Sequence, residues 1–146
     1  NVHAAGGSRM LCSAKEAILN FDKPPILVAV TVLTSMERDD LSGIGIYTTV
    51  AEQVFKLAKL SKDNGLDGVV CSPKEIKIIR KETGKDFIIV TPGIRLKNKI
   101  KKDDQKRVET PEKAIEMGAN YLVIGRPITK SINPLKTLKQ INKALS

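Results

Sequence analysis

The chain has 146 residues, a 41% hydrophobic content and a formal net charge of +9. That is enough for one compact domain or part of one, and no apolar run approaches the roughly 18 residues of a membrane span, so no membrane partner is expected. The basic charge invites nucleic acid, but single-strand binders stack bases on aromatic side chains. Here only Phe21, Tyr47, Phe55, Phe87 and Tyr121 are available, two of them inside apolar runs, and the lysines spread over several helices as solvated faces. Nucleic acid is therefore not expected as a partner.

Val2 to Ala4 reads as the tail of a strand and Ser8 to Asn20 as an amphipathic helix with Ser8 as its cap, broken by Pro24-Pro25 before a strand from Ile26 to Leu33. A helix from about Thr48 to Asn64, a strand from Gly68 to Cys71 and a helix from about Pro73 to Glu82, closed by Gly84, come next. The strand Phe87 to Thr91 leads into a long basic loop, then a helix from Pro111 to Met117, the strand Tyr121 to Ile124 and a helix from Pro134 to Leu145. Thr110-Pro111-Glu112 and Asn133-Pro134 are helix starts, each a cap followed by proline at the first helical position. The β-α repeat with apolar, non-alternating strands argues for a parallel sheet covered by helices, either an open doubly wound sheet or a (β/α)8 barrel.

Two strand ends stand out. Ile88-Ile89-Val90-Thr91-Pro92-Gly93-Ile94-Arg95 and Tyr121-Leu122-Val123-Ile124-Gly125-Arg126-Pro127 both run from β-branched residues into glycine and arginine. A buried strand that delivers a glycine turn and a guanidinium at its C-terminal end offers backbone N–H groups and a planar cation at one point, which suits a phosphate. Straight after the first turn, Lys97, Lys99, Lys101, Lys102, Lys106 and Arg107 crowd a segment that reads as a mobile basic loop over an anionic ligand.

Length bears on the architecture, because a complete barrel needs about 200 to 250 residues and only four whole strands plus a stub are legible. The chain therefore reads as the second half of a (β/α)8 TIM barrel, a single partial domain over residues 1–146 that begins inside a strand. Phosphates in such barrels commonly sit at the loops after the last two strands, where both glycine-arginine turns fall. Asn1-Val2-His3-Ala4-Ala5 has neither a basic n-region nor a long apolar h-region, so no signal peptide is visible. Cys12 and Cys71 lack metal-ligand spacing and read as free thiols, which fits a reducing cytoplasm.

Asn1-Val2-His3-Ala4, Ala29-Val30-Thr31-Val32-Leu33-Thr34-Ser35-Met36, Gly65-Leu66-Asp67-Gly68-Val69-Val70-Cys71-Ser72, Val90-Thr91-Pro92-Gly93-Ile94-Arg95 and Val123-Ile124-Gly125-Arg126-Pro127-Ile128-Thr129 resemble successive blocks of bacterial orotidine 5'-phosphate decarboxylase, in order and with similar spacing. The resemblance implies a (β/α)8 barrel that decarboxylates orotidine 5'-phosphate to UMP in pyrimidine biosynthesis, as a homodimer with no metal or organic cofactor. It places Thr34 where the family presents a hydroxyl and backbone to the pyrimidine amide. Arg95 ends the Thr-Pro-Gly-Ile-Arg block, Gln105 is the lid glutamine that reaches the phosphate, and Gly125 and Arg126 are the phosphate-binding pair. The stretch from Arg95 to Gln105 is a residue longer than the common bacterial form, so Gln105 is placed by Asp104-Gln105-Lys106-Arg107 and Thr110-Pro111-Glu112.

The resemblance also implies a catalytic Asp-x-Lys-x-x-Asp motif on the strand preceding Asn1, completed by an aspartate from the second subunit. No such motif occurs in residues 1–146, and Asp104-Gln105-Lys106-Arg107-Val108-Glu109 ends in glutamate. No catalytic residue is therefore assigned in this chain, which by itself is expected to bind poorly and catalyse nothing. Another phosphate-binding barrel, such as a sugar-phosphate epimerase, would share the last two turns without needing Leu33-Thr34-Ser35. A non-catalytic remnant half-barrel is a third reading. His3, at a strand end, reads either as a substrate contact or as a structural histidine.

Overall fold

A computed structural model describes residues 1–96 and 107–145. The chain runs β1 (Val2–His3), α1 (Gly7–Leu19), β2 (Val28–Val30), α2 (Arg38–Gly43), α3 (Val50–Asp63), β3 (Gly68–Val70), α4 (Ile76–Thr83), β4 (Ile88–Thr91), α5 (Pro111–Glu116), β5 (Tyr121–Leu122), α6 (Arg126–Thr129) and α7 (Pro134–Leu145). All the strand pairs are parallel, and the spatial order β1-β2-β3-β4-β5 is the chain order. A doubly wound sheet reverses its strand order at a switch point. This sheet does not, which decides between the two architectures the sequence leaves open.

Burial agrees. Ala29, Val69 and Ile89 lie in register on one face and are fully buried under the helices. They meet Leu11 of α1, Val54, Leu57 and Ala58 of α3, and Ile76 and Ile79 of α4. Each buried Leu or Ile contributes about 1.5–3 kcal/mol relative to exposure. On the other face the register row His3, Val30, Val70, Val90 and Tyr121 is only partly buried or exposed. An apolar sheet face without helices is what the inner wall of a barrel presents.

Most elements form where the pattern places them. Thr110 Oγ1 accepts from the Lys113 N–H and Asn133 Oδ1 accepts from the Lys136 N–H, so both cap-proline starts operate. Gly84 takes φ 81° just past α4 and its N–H donates to the Arg80 carbonyl. Three expectations change. Ser8 is not a cap, because a 3-10 turn at Ala4–Gly6 leads α1 in from Gly6, and the Ser8 hydroxyl instead accepts from Asn64 Nδ2 at 3.3 Å. The strand expected over Ile26 to Leu33 narrows to β2, with Ile26 and Leu33 half-exposed. Short helices α2 and α6 form in segments for which the sequence predicts no element, α2 held at its start by the Glu37 N–H donating to Asp40 Oδ2 at 2.7 Å.

Polar staples hold the N-terminal rim of the sheet. Asp67, just before β3, accepts from the Leu27 N–H and the Lys15 ammonium, each at 2.7 Å. Burial opposes its charge, but these two hydrogen bonds outweigh it and hold the carboxyl below its ordinary value. The Arg80 guanidinium donates to the carbonyls of Gly118 and Gly84 and to the Asn120 side chain, tying α4 to the approach of β5.

Candidate functional site

The opposite rim carries the residues singled out in the sequence. After β2 the chain keeps pairing through the Thr31 N–H and hydroxyl, which both donate to the Val70 carbonyl, and then turns so that Thr34 is buried at 7% exposure. After β4, Gly93 takes φ 78° in the left-handed region that favours glycine. A Cβ there would lie 2.8 Å from the Arg107 carbonyl oxygen and 3.6 Å from Thr34 Cγ2. The Gly93 turn and Thr34 are therefore packed together, as one site requires.

Beside them opens a recess of about 230 Å³ lined by Val30, Val32, Leu33, Thr34, Ser35, Val70, Cys71 and Pro92. It is smaller than the roughly 300–1,000 Å³ of a whole small-molecule site, and Thr34 and Ser35 are the hydroxyl residues in its lining. Cys71 is buried, and burial together with the Glu75 carboxylate raises its thiol far above the ordinary range. It is a neutral wall residue, with no thiolate to act as a nucleophile.

Arg95 is 8% exposed, its backbone N–H donating to the Glu109 carbonyl and its Nη1 to the Ile94 carbonyl. It braces the turn from inside. Gly125 and Arg126 follow β5, with Gly125 leading into α6 and Arg126 as its first residue, and between them and β5 the Val123 N–H donates to the Thr91 carbonyl. Gly125 is exposed, with open space where a Cβ would stand, and Arg126 is partly exposed. A ligand can thus approach that backbone directly. His3 sits in register with Val30 at the end of β1 and lines a separate apolar hollow of about 180 Å³ with Leu33, Met36 and Ile44.

Gln105 and the lysines from Lys97 to Lys106 lie outside the described residues. Arg107, read as part of a mobile basic loop over an anionic ligand, is 7% exposed and makes a buried ion pair with Glu75, Nη1 to Oε1 at 2.8 Å. The sequence hid it within a run of like charges; only Val108 and the Thr110-Pro111 cap mark the chain's return to the core. Glu75 gave no signal at all.

Among the described residues no cluster of His, Cys, Asp and Glu could hold a metal ion, and no helix is long and apolar enough to cross a membrane. A larger hollow of about 630 Å³, lined by Lys77, Arg80, Lys81 and Lys85, lies at the other rim, away from the glycine turns.

Curated orotidine 5'-phosphate decarboxylases from Neisseria meningitidis and Idiomarina loihiensis are 50% and 53% identical to this chain, covering 98% and 97% of it. The chain spans 58% and 61% of their lengths. The crystal structure of orotidine 5'-phosphate decarboxylase from Lactobacillus acidophilus superposes with a TM-score of 0.82 at 40% identity, over 99% of this chain and 61% of that one. That from Thermotoga maritima gives 0.64 at 28% identity, over 96% and 57%. The sheet is accordingly part of a (β/α)8 barrel with parallel strands covered by helices. The model of the orotidine 5'-phosphate decarboxylase / HUMPS family matches residues 1–141, and the chain belongs to that family.

Proposed function

We propose that this chain is the phosphate- and pyrimidine-binding part of an orotidine 5'-phosphate decarboxylase, converting orotidine 5'-phosphate to UMP and CO2 in de novo pyrimidine biosynthesis. The observation that carries the reading is the packing of Thr34 against the Gly93 turn beside that recess, with the open Gly125-Arg126 turn after the adjacent strand. Residues 1–146 form one partial domain of that barrel, cytoplasmic and part of a homodimer.

The roles follow from the chemistry. The bond from ring carbon to carboxylate breaks, its electron pair stays on the ring, and a proton replaces CO2. Rate then depends on binding the carbanion-like transition state better than the substrate. The Gly125 backbone and the Arg126 guanidinium hold the phosphate, Arg95 adds positive charge from beneath the first turn, and Thr34 fixes the pyrimidine edge. Gln105 reaches the phosphate from the lid. Phosphate binding far from the reacting carbon supplies energy to exclude water and order the charged groups there. The lysine that would meet the carbanion and the aspartates that would position it are not among residues 1–146.

The test is complementation. This chain is joined to the part of the N. meningitidis relative that it does not cover, and loss of orotidine 5'-phosphate absorbance is followed. The fusion is expected to decarboxylate and the chain alone to stay at background. A soluble, well-folded fusion without activity overturns the assignment.

A further inference from the structure

Arg107 holds three strand ends at once. Its Nη1 donates to Glu75 Oε1 at 2.8 Å, while Nη2 donates to the Val32 and Leu33 carbonyls at 3.1 and 2.8 Å. Its own carbonyl accepts from the Ser72 hydroxyl at 3.3 Å and stands over Gly93. The Arg107 and Glu75 side chains are only 9% and 6% exposed.

Arginine and carboxylate usually close as two parallel hydrogen bonds. Here Arg107 Nε and Glu75 Oε2 have no hydrogen-bond partner among the described residues. The guanidinium is turned out of the bidentate arrangement, and Nη2 bridges two successive carbonyls instead. Those carbonyls belong to the two residues that directly precede Thr34 and line the recess. A buried ion pair left half-satisfied is a poor device for stability alone, since apolar residues of similar volume often serve as well. Spanning the Val32-Leu33 peptide is what this geometry adds.

We propose that Arg107 is a positioning residue for recognition of the ligand's ring: it fixes the Leu33-Thr34 backbone against the Gly93 turn, and so sets where the Thr34 hydroxyl meets a pyrimidine edge. The ligand in this inference rests on the decarboxylase reading; the backbone role does not.

The variants are Arg107→Met with Glu75→Met, which removes both charges together, and Arg107→Lys, which keeps the charge beside Glu75 but cannot reach both carbonyls. In the fusion described above, both are expected to keep the overall amide dispersion while the Leu33 and Thr34 methyl resonances shift and broaden. In the same fusion, UMP and uridine are each expected to bind about 10- to 100-fold more weakly, the size of a lost charge-assisted contact, with inorganic phosphate unchanged. An equal loss for inorganic phosphate, native Thr34 resonances, or full rescue of UMP binding by either variant would overturn the role. So would failure of both variants to fold, which would make Arg107 scaffold only. If the unsubstituted fusion binds no UMP, the decarboxylase reading fails, and the methyl resonances still decide the backbone role.

Discussion

Replacing Gly93 by alanine separates two costs that its position combines. The first is conformational. At φ 78° an alanine occupies the left-handed region, at about 1–2 kcal/mol. The second is steric. The new Cβ would stand 2.8 Å from the Arg107 carbonyl oxygen, so backbone must yield by about half an ångström. Overpacking of this kind costs about 1–3 kcal/mol. Gly65 provides the reference: it takes φ 74° at the end of α3, where the Leu66 N–H donates back to the Ser61 carbonyl as in a left-handed helix end, and nothing lies within 4 Å of its Cβ position, so Gly65→Ala carries the first cost alone.

In urea unfolding of the complete fusion, Gly93→Ala is expected to lose about 2–5 kcal/mol and Gly65→Ala about 1–2, the difference being the contact with Arg107. Only the first should weaken UMP binding, because only that clash pushes on the Ser72–Arg107–Gly93 junction beside Thr34. Equal losses of stability in the two variants would refute the reasoning, since the Arg107 carbonyl would then be free to move aside.

Arg126→Ala in the fusion is expected to weaken phosphate-ester binding by about 2 to 4 kcal/mol, and nucleoside binding hardly at all; calorimetry with UMP and uridine checks this, and equal losses would make Arg126 scaffold. The 146-residue chain by itself should associate or stay partly molten, since its Val30, Val70 and Val90 face lacks a covering layer and β1 and β5 are sheet edges. Light scattering from a monodisperse, cooperatively unfolding monomer would contradict that. Acid stability should depend on Asp67, whose carboxyl is held below its usual 3.8. Its contribution is complete above the unfolded value and is lost as pH falls through the lower folded value. Asp67→Asn should therefore flatten the stability-versus-pH curve below about pH 4, and an unchanged acid limb would remove the Lys15–Asp67 pair from the account.

What the sequence makes legible is what local chemistry controls. Thr110-Pro111 and Asn133-Pro134 cap their helices because cap and proline act within one turn. The apolar strands β2, β3 and β4 fall near their expected places because each buries at least one residue under the helices. Strand ends are harder: Ile26 and Leu33 are as β-prone as Val28 and Val30, and only the register with β3 shows that they lie beyond the ladder. The α2 helix depends on Asp40 reaching back to the Glu37 N–H, a weaker cap than a Ser or Thr start. The Arg107–Glu75 pair joins residues 32 positions apart in sequence, and nothing in either neighbourhood distinguishes them from solvated charge.

The three arginines of the strand-end rim divide by burial, and the division has a physical reason. An incoming phosphate gains most from a guanidinium that still has solvent to lose and least from one already buried in the protein. Arg95 and Arg107 are 8% and 7% exposed and donate to the carbonyls of Ile94, Val32 and Leu33, whereas Arg126 is partly exposed beside a glycine with open space above it. The two inner arginines make their turns rigid before any ligand arrives. Rigid turns matter here because a remote phosphate can assist a reaction at the ring only if its binding energy is not absorbed by ordering the strand ends between them. In the proposed reading Arg107 acts on the reacting end, and Arg95 and Arg126 on the anchoring end. Substitutions at Arg107 and Arg126 should then affect the ring and the phosphate of one ligand separately.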